Sequence, residues 1–361
     1  MVFLKSFKMI IYLLQELIDK CQLNSQQPSR IDFFENLAIA RRDGKHFVLG
    51  DQSIFAILRK LNGLSPLAQS IYNKIYLRFS TEASIMNHGN YLFKIGSVDK
   101  VEHNATFYNL DNLNDDSFCN YNNLLLENPV DTFIYAKSIE YYQIKNSLGT
   151  VEYLWDLRNG GGTTSFAEFL RLNNLKTAYT FAILDSDKIC PNSSLGGTAS
   201  QFLNTPDTLF GNYKILDAHE IENLIPSQIY SLYINYKNDQ KLNENLNIIE
   251  LNSEIFKYLD IKKGVKKFTL TNSSENTKNY YSHALNIPAS DILCLCVKKN
   301  ECNCFIFNPM ARTIFNDIKL FIDQQKIDFL SFINDFLEHI YLELGEKLLW
   351  IFCKSNRITA Y

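Results

Sequence analysis

A chain of 361 residues with 46% hydrophobic residues, among them 26 Phe and 20 Tyr, can fill more than one packed core and excludes an intrinsically disordered protein. Its formal net charge of −3 excludes a globally cationic nucleic-acid binder, so any contact with phosphates must come from local basic patches. Of the eight cysteines, Cys21, Cys119, Cys190 and Cys353 are scattered while Cys294, Cys296, Cys302 and Cys304 cluster, which fits a reducing, cytoplasmic setting better than a disulfide framework.

The opening "MVFLKSFKMIIYLLQELIDK" has a longest apolar run of about six residues and no small-residue cleavage site, so it reads as an amphipathic helix and not as a signal peptide. No stretch approaches the ~20 apolar residues of a membrane span, and no membrane partner is expected. Helical patterns in "SIFAILRKL" and "LAQSIYNKIYLRF" followed by strand-like "YLFKIGSV" and "ATFYNL" make residues 1–118 an α+β accessory domain. The polar run "DNLNDDSFCNYNN" then reads as a linker.

From residue 119 to 227 strands and helices alternate. "NLLLE" ends in Glu127, and "NPVDTFIYAKSIEYY" opens a helix with Pro129 in its first turn. "VEYLWDL" is strand-like, and "NGGG" leads into the helix "TTSFAEFLRLNN". "AYTFAIL" ends in Asp185, and "NYKIL" is followed by "AHEIENLIP". Apolar runs without alternation, separated by helices, predict a Rossmann-like parallel sheet covered on both faces, with ligands at its carboxyl edge. The stretch Cys190–Gly211 is a loop or a short helix over that edge. Residues 228–361 read as a mostly helical region, with helical patterns from about Thr313 to Leu344 and a substrate or partner role. No phosphate-binding G-x-x-x-x-G-K-[ST] loop occurs.

The acidic residues fall at the strand ends: Glu127 with Asp131 one turn on, Asp185 with Asp187, then Glu220 and Glu222. Neighbouring strands lie ~4.8 Å apart, so these carboxyls can converge, and a hard divalent cation relieves the repulsion. An all-oxygen set suits Mg²⁺ or Mn²⁺. Lys188 follows the acidic pair directly and, like Lys214, is placed to neutralise a reacting phosphate.

"LLLENPVD", "NGGG", "ILDSDK" and "HEIENLIP", spanning roughly residues 120–226, together resemble the Toprim nucleases of the overcoming-lysogenization-defect type, including the Toprim effectors of PARIS-type antiphage systems. The resemblance implies an α/β Toprim domain and a nuclease holding two ions. Glu127 would be a general base or metal ligand and Asp131 a ligand of the second ion. Asp185 and Asp187 would be the central ligands, Glu222 the late acidic ligand and Glu220 its neighbour. It further implies a nucleic-acid substrate, with tRNA among the candidates, a toxic antiphage role, a separately encoded ATPase partner and a homodimer as one assembly. Asn128 departs from the family, which usually has Gly after the motif Glu. Two other readings stand beside it: a non-catalytic Toprim-like binding subunit of an ATPase complex, and a Mn²⁺-dependent GT-A-type glycosyltransferase using the Asp-x-Asp.

Two further features are open. "CLCVKKNECNC" can present Cys294, Cys296, Cys302 and Cys304 from a hairpin to a structural Zn²⁺, or bury them as small apolar residues. Lys262, Lys263, Lys266 and Lys267 form a basic patch for nucleic acid or a solvated face, as do Arg41, Arg42 and Lys45.

Overall fold

The computed structural model describes residues 10–19, 28–80, 92–102, 105–148, 151–203, 205, 208–251, 253–296, 302–355 and 357–358. The first sheet contains β1 (Ile10–Leu13), β2 (Phe47–Gly50), β3 (Leu92–Gly96), β4 (Lys100–Glu102) and β5 (Ala105–Asn109), in the order β2-β1-β3-β5-β4. Only β4 runs antiparallel to its neighbour. Helices α1 (Pro28–Arg42), α2 (Gln52–Leu58) and α3 (Pro66–Leu77) lie between these strands in the chain, so the N-terminal unit is wound in the α/β manner and not as the expected α+β unit.

The opening stretch also departs from expectation. Residues 1–9 of the anticipated amphipathic helix lie outside the described residues, and Ile10–Leu13 form a strand between β2 and β3. Ile10, Ile11 and Leu13 are fully buried, and a short apolar run flanked by two parallel strands gains backbone pairing on both edges that a helix would forgo.

The second sheet bears out the parallel α/β expectation. It contains β6 (Asn123–Leu126), β7 (Asp156–Asn159), β8 (Thr180–Leu184) and β9 (Gly211–Ile215), all parallel, in the order β7-β6-β8-β9. Leu125, Ala182 and Leu184 face α5 (Ser165–Leu175) and α6 (Gly197–Phe202) through Phe169 and Phe202. Leu124, Leu126, Phe181 and Ile183 point the other way into the main core. Burial on both faces is why β6 and β8 carry no polar alternation. β7 starts only at Asp156, later than "VEYLWDL" suggests, because the preceding residues serve the chain's end. Tyr153 bridges Cys353, Leu154 N–H donates to Phe352 O at 2.9 Å, and the Trp155 ring meets Phe352 edge-on.

Beyond the sheet come α7 (Ser227–Lys237), α8 (Gln240–Leu251), α9 (Ser253–Phe256), β10 (Val265–Lys266), α10 (Lys267–Thr271), α11 (Glu275–Leu285), β11 (Phe305–Phe307), α12 (Ile314–Gln325) and α13 (Asp335–Phe352). The last helix returns to the second sheet and packs along α4 (Thr132–Lys145). The contact is so close that a Cβ on Gly345 would overlap the Ser138 carbonyl oxygen. Tyr341 donates its hydroxyl to Leu224 O at 2.8 Å, which ties α13 to the acidic edge of the sheet. No described helix is long and apolar enough to cross a membrane.

Candidate metal centre

The register sets Leu126 opposite Ile183, so Glu127 and Asp185 leave the sheet from adjacent strand ends. Asn128 accepts Val130 N–H at 3.3 Å and Pro129–Asp131 make a 3₁₀ turn before α4. That turn brings Asp131 back over the edge, buried at 6% exposure. Tyr135, one helical turn later, lies fully buried beneath it.

After β8, Ser186 donates to Ala218 O at 2.5 Å, and Asp187 takes a left-handed backbone, φ 54°, while its N–H donates to His219 O at 2.9 Å. Aspartate tolerates that region better than most residues. The loop after Asp187 then doubles back, with Gly196 N–H donating to Ser186 O at 2.9 Å. A Cβ on Gly196 would overlap the Asp187 carboxylate. Past β9, Glu220 caps the turn Ile221–Leu224 reciprocally with Asn223. Asn223 in turn donates to Phe256 O at 2.7 Å and Leu259 O at 2.9 Å, fastening the turn to the segment that carries Lys262.

The carboxyls act on one another. Burial and then Asp187 raise Glu127; burial and then Glu222 push Asp131 up to about 7. Burial followed by Asp131, Glu127, Glu222 and Glu220 holds Asp185 well above the carboxylate range, although the residue keeps some exposed surface. Burial likewise raises Glu222. The Tyr135 phenol is raised by burial and by Asp131, Asp185, Glu127 and Glu222. Asp131, Glu127, Glu222 and Glu220 thus act on Asp185 as neighbouring negative charge, and Asp187 acts on Glu127. All six predicted acidic residues follow the carboxyl ends of β6, β8 and β9 in the chain.

One cation already stands there. Lys262 Nζ lies 2.9 Å from Glu220 Oε2 and 3.1 Å from Glu222 Oε1, and these carboxylates raise its pKa against the opposing effect of burial. Lys262 was expected on a nucleic-acid-facing patch; the structure turns it inward. Its companions have separate partners. Lys263 lies 3.5 Å from Asp260, Lys266 sits over the Phe305 ring, and Lys267 donates to Asp291 O at 2.6 Å. Arg41 is buried and donates to Ser355 Oγ at 2.8 Å, Arg42 pairs with Asp43, and Lys45 donates to Cys119 O. Lys188 donates to Pro191 O at 3.3 Å within its own loop, and Lys214 is held by Glu343 at 2.7 Å and 2.8 Å. Neither ammonium is directed to the acidic edge by these contacts.

The sequence did not single out His219. Its Nδ1 pairs with Lys188 O at 2.9 Å and its Nε2 is 3.9 Å from Asp260. Among the described residues, ligand atoms of Asp187, His219 and Glu220 lie within 4.8 Å of one another. The signal was present in "AHEIENL", where a histidine precedes the glutamates. Tyr135 and Asn223 carry no such mark.

The donor set fits a hard divalent cation. Oxygen ligands dominate, burial and neighbouring carboxylates hold Asp185 well above the carboxylate range, and Glu222 Oε2 is buried without a hydrogen-bond partner among the described residues. The "NGGG" turn is structural at its base: Gly160 N–H donates to Leu126 O at 2.7 Å, and Gly161 and Gly162 adopt φ of 63° and 64°. Compared with protein-family models, with curated proteins and with solved structures, the chain matches none.

Proposed function

We propose that this chain is a divalent-metal-dependent nuclease that hydrolyses phosphodiester bonds, in the manner of the Toprim enzymes its motifs resemble. The observation that carries the reading is the adjacency of Glu127 and Asp185 at neighbouring parallel strand ends, with the Asp131 and Glu222 carboxyls raised by burial and by neighbouring carboxylates beside them. Bound Mg²⁺ or Mn²⁺ would supply water activation and stabilise the leaving oxygen. Asp185 and Asp187, Asp131, and the pair Glu220 and Glu222 are the residues to hold it. Glu127 is half-buried with a raised pKa, which suits a carboxylate that accepts a proton from attacking water. The same resemblance makes nucleic acid, tRNA included, the substrate and extends the proposal to a toxic antiphage effector restrained by a separate ATPase.

The test is cleavage of labelled tRNA, single-stranded RNA and plasmid DNA with Mg²⁺, Mn²⁺ or chelator, beside Glu127→Gln and Asp185→Asn. Metal-dependent cutting lost in both folded variants is the expected result. Cutting that survives either variant, or chelator, sinks the assignment.

One observation favours a second reading, a non-catalytic scaffold of Toprim type. Lys262 already supplies a positive charge to Glu220 and Glu222, as a protein that has given up its metal would require. Titration calorimetry with Mn²⁺ separates the two: the scaffold binds none at the acidic edge, and Asp185→Asn leaves its heat signal unchanged.

A further inference from the structure

A second cluster of ligands lies outside the acidic edge. Cys294 and Cys302 sulfurs are 3.3 Å apart, Cys296 and Cys304 sulfurs 4.0 Å, and all four lie within 4.8 Å of one another. A disulfide needs about 2.05 Å, so these are not bonded pairs, and each of the four is a free thiol. Four sulfurs around one ion at about 2.3 Å stand at tetrahedral edges of about 3.8 Å, between the two spacings observed.

The alternative, that the cysteines are small apolar core residues, is contradicted by their surroundings. Cys304 is exposed, Cys294 and Cys296 are half-buried, and only Cys302 is buried. Leu295, between two of them, is 100% exposed. A segment driven by apolar burial would hide the leucine and leave the thiols to follow. Here the backbone turns the thiols together and the leucine out. The Cys296 N–H points to Cys294 Sγ at 3.4 Å, an amide donating to sulfur that would stabilise a thiolate. The backbone around the cluster is fixed as well: Cys294 N–H donates to Thr271 Oγ1 at 2.8 Å and Cys304 O accepts Lys267 N–H at 2.9 Å.

We propose that Cys294, Cys296, Cys302 and Cys304 bind one structural Zn²⁺ as four thiolates. Borderline-soft zinc suits sulfur, whereas the oxygen-rich acidic edge suits magnesium, so the chain would sort two metals by ligand chemistry. The ion would tie Cys294 and Cys296 to Cys302 and Cys304, just before β11, and so brace the antiparallel β10–β11 pair, whose first strand follows the Lys262 segment. The proposal does not depend on any nuclease activity.

The experiment is elemental analysis of untagged protein purified under reducing conditions, with wild type beside Cys302→Ser and Cys296→Ser. Cobalt exchange into the wild type is read by absorption. Expected are one zinc per chain in wild type, less than about a tenth of that in either variant, and the intense charge-transfer and visible bands of a tetrahedral cobalt tetrathiolate. If the variants fail to fold, the wild-type zinc content and cobalt spectrum still decide. Wild type that takes up neither ion while its thiols titrate freely overturns the proposal. So does iron at these thiols, or a pair of disulfides in freshly lysed cells.

Discussion

Lys262 places its ammonium 3.1 Å from Glu222 Oε1, while Oε2 of the same carboxylate is buried with no hydrogen-bond partner. One lysine thus half-satisfies a group that carries more negative charge than it can answer, because Glu220 competes for it at 2.9 Å. Removing one partner of a largely buried pair leaves an uncompensated charge. In chelator, Lys262→Met should lose about 2–3 kcal/mol by urea unfolding. Added Mg²⁺ should then restore more stability to the variant than it gives wild type, since the ion and the ammonium answer the same charge. Equal Mg²⁺ increments in both proteins would show that Lys262 and the ion do not share these carboxylates.

Asp185 makes the opposite prediction. It is half-buried among like charges, so its carboxylate costs stability in the metal-free protein. Asp185→Asn should therefore be as stable as wild type or more so in chelator at pH 8, by up to about 2 kcal/mol, while metal-dependent cleavage falls by a factor on the order of 10³. The check is paired denaturation and cleavage on one preparation. An Asn variant that is markedly less stable would mean that Asp185 is a structural hydrogen-bonding residue.

Much of this edge was legible in the chain because β6 and β8 are buried on both faces, and an uninterrupted apolar run that stops at a carboxylate marks a parallel strand's end. Register and adjacency were not in the run itself. They follow from β6 lying between β7 and β8, which a single sequence does not state. Lys262 was misread because a run of lysines carries no sign of which member turns inward; Asn223 decides that by holding the Phe256–Leu259 backbone. Similarly, "IIYL" is too short for periodicity to separate strand from helix.

Gly196 offers a test of geometry without touching charge. A side chain there would overlap the Asp187 carboxylate, whose own backbone is held in the left-handed region. Gly196→Ala should displace Asp187 and weaken Mn²⁺ binding by about tenfold, at about 1–3 kcal/mol in stability from overpacking. Calorimetry and thermal unfolding read the two effects separately. Unchanged Mn²⁺ affinity would remove Asp187 from the ligand set.

His46 governs a pH response remote from the acidic edge. The ring is fully buried and donates an N–H to Asn120 O at 2.9 Å, and burial pushes its pKa down to about 4. The unfolded chain, with a histidine pKa near 6.5, takes up the proton first as pH falls. The contribution of neutral His46 is therefore complete above about pH 6.5 and is lost progressively toward pH 4, a change of about 3 kcal/mol. Asp131, whose pKa is raised, changes stability in the opposite sense over part of the same range, so the wild-type profile mixes the two. His46→Gln keeps an N–H donor for Asn120 and cannot titrate. The difference between wild type and His46→Gln, measured by urea unfolding at pH 7 and pH 4.5, isolates the histidine. Wild type should lose about 2–3 kcal/mol more than the variant between those values, and parallel losses would place His46 in a solvated site.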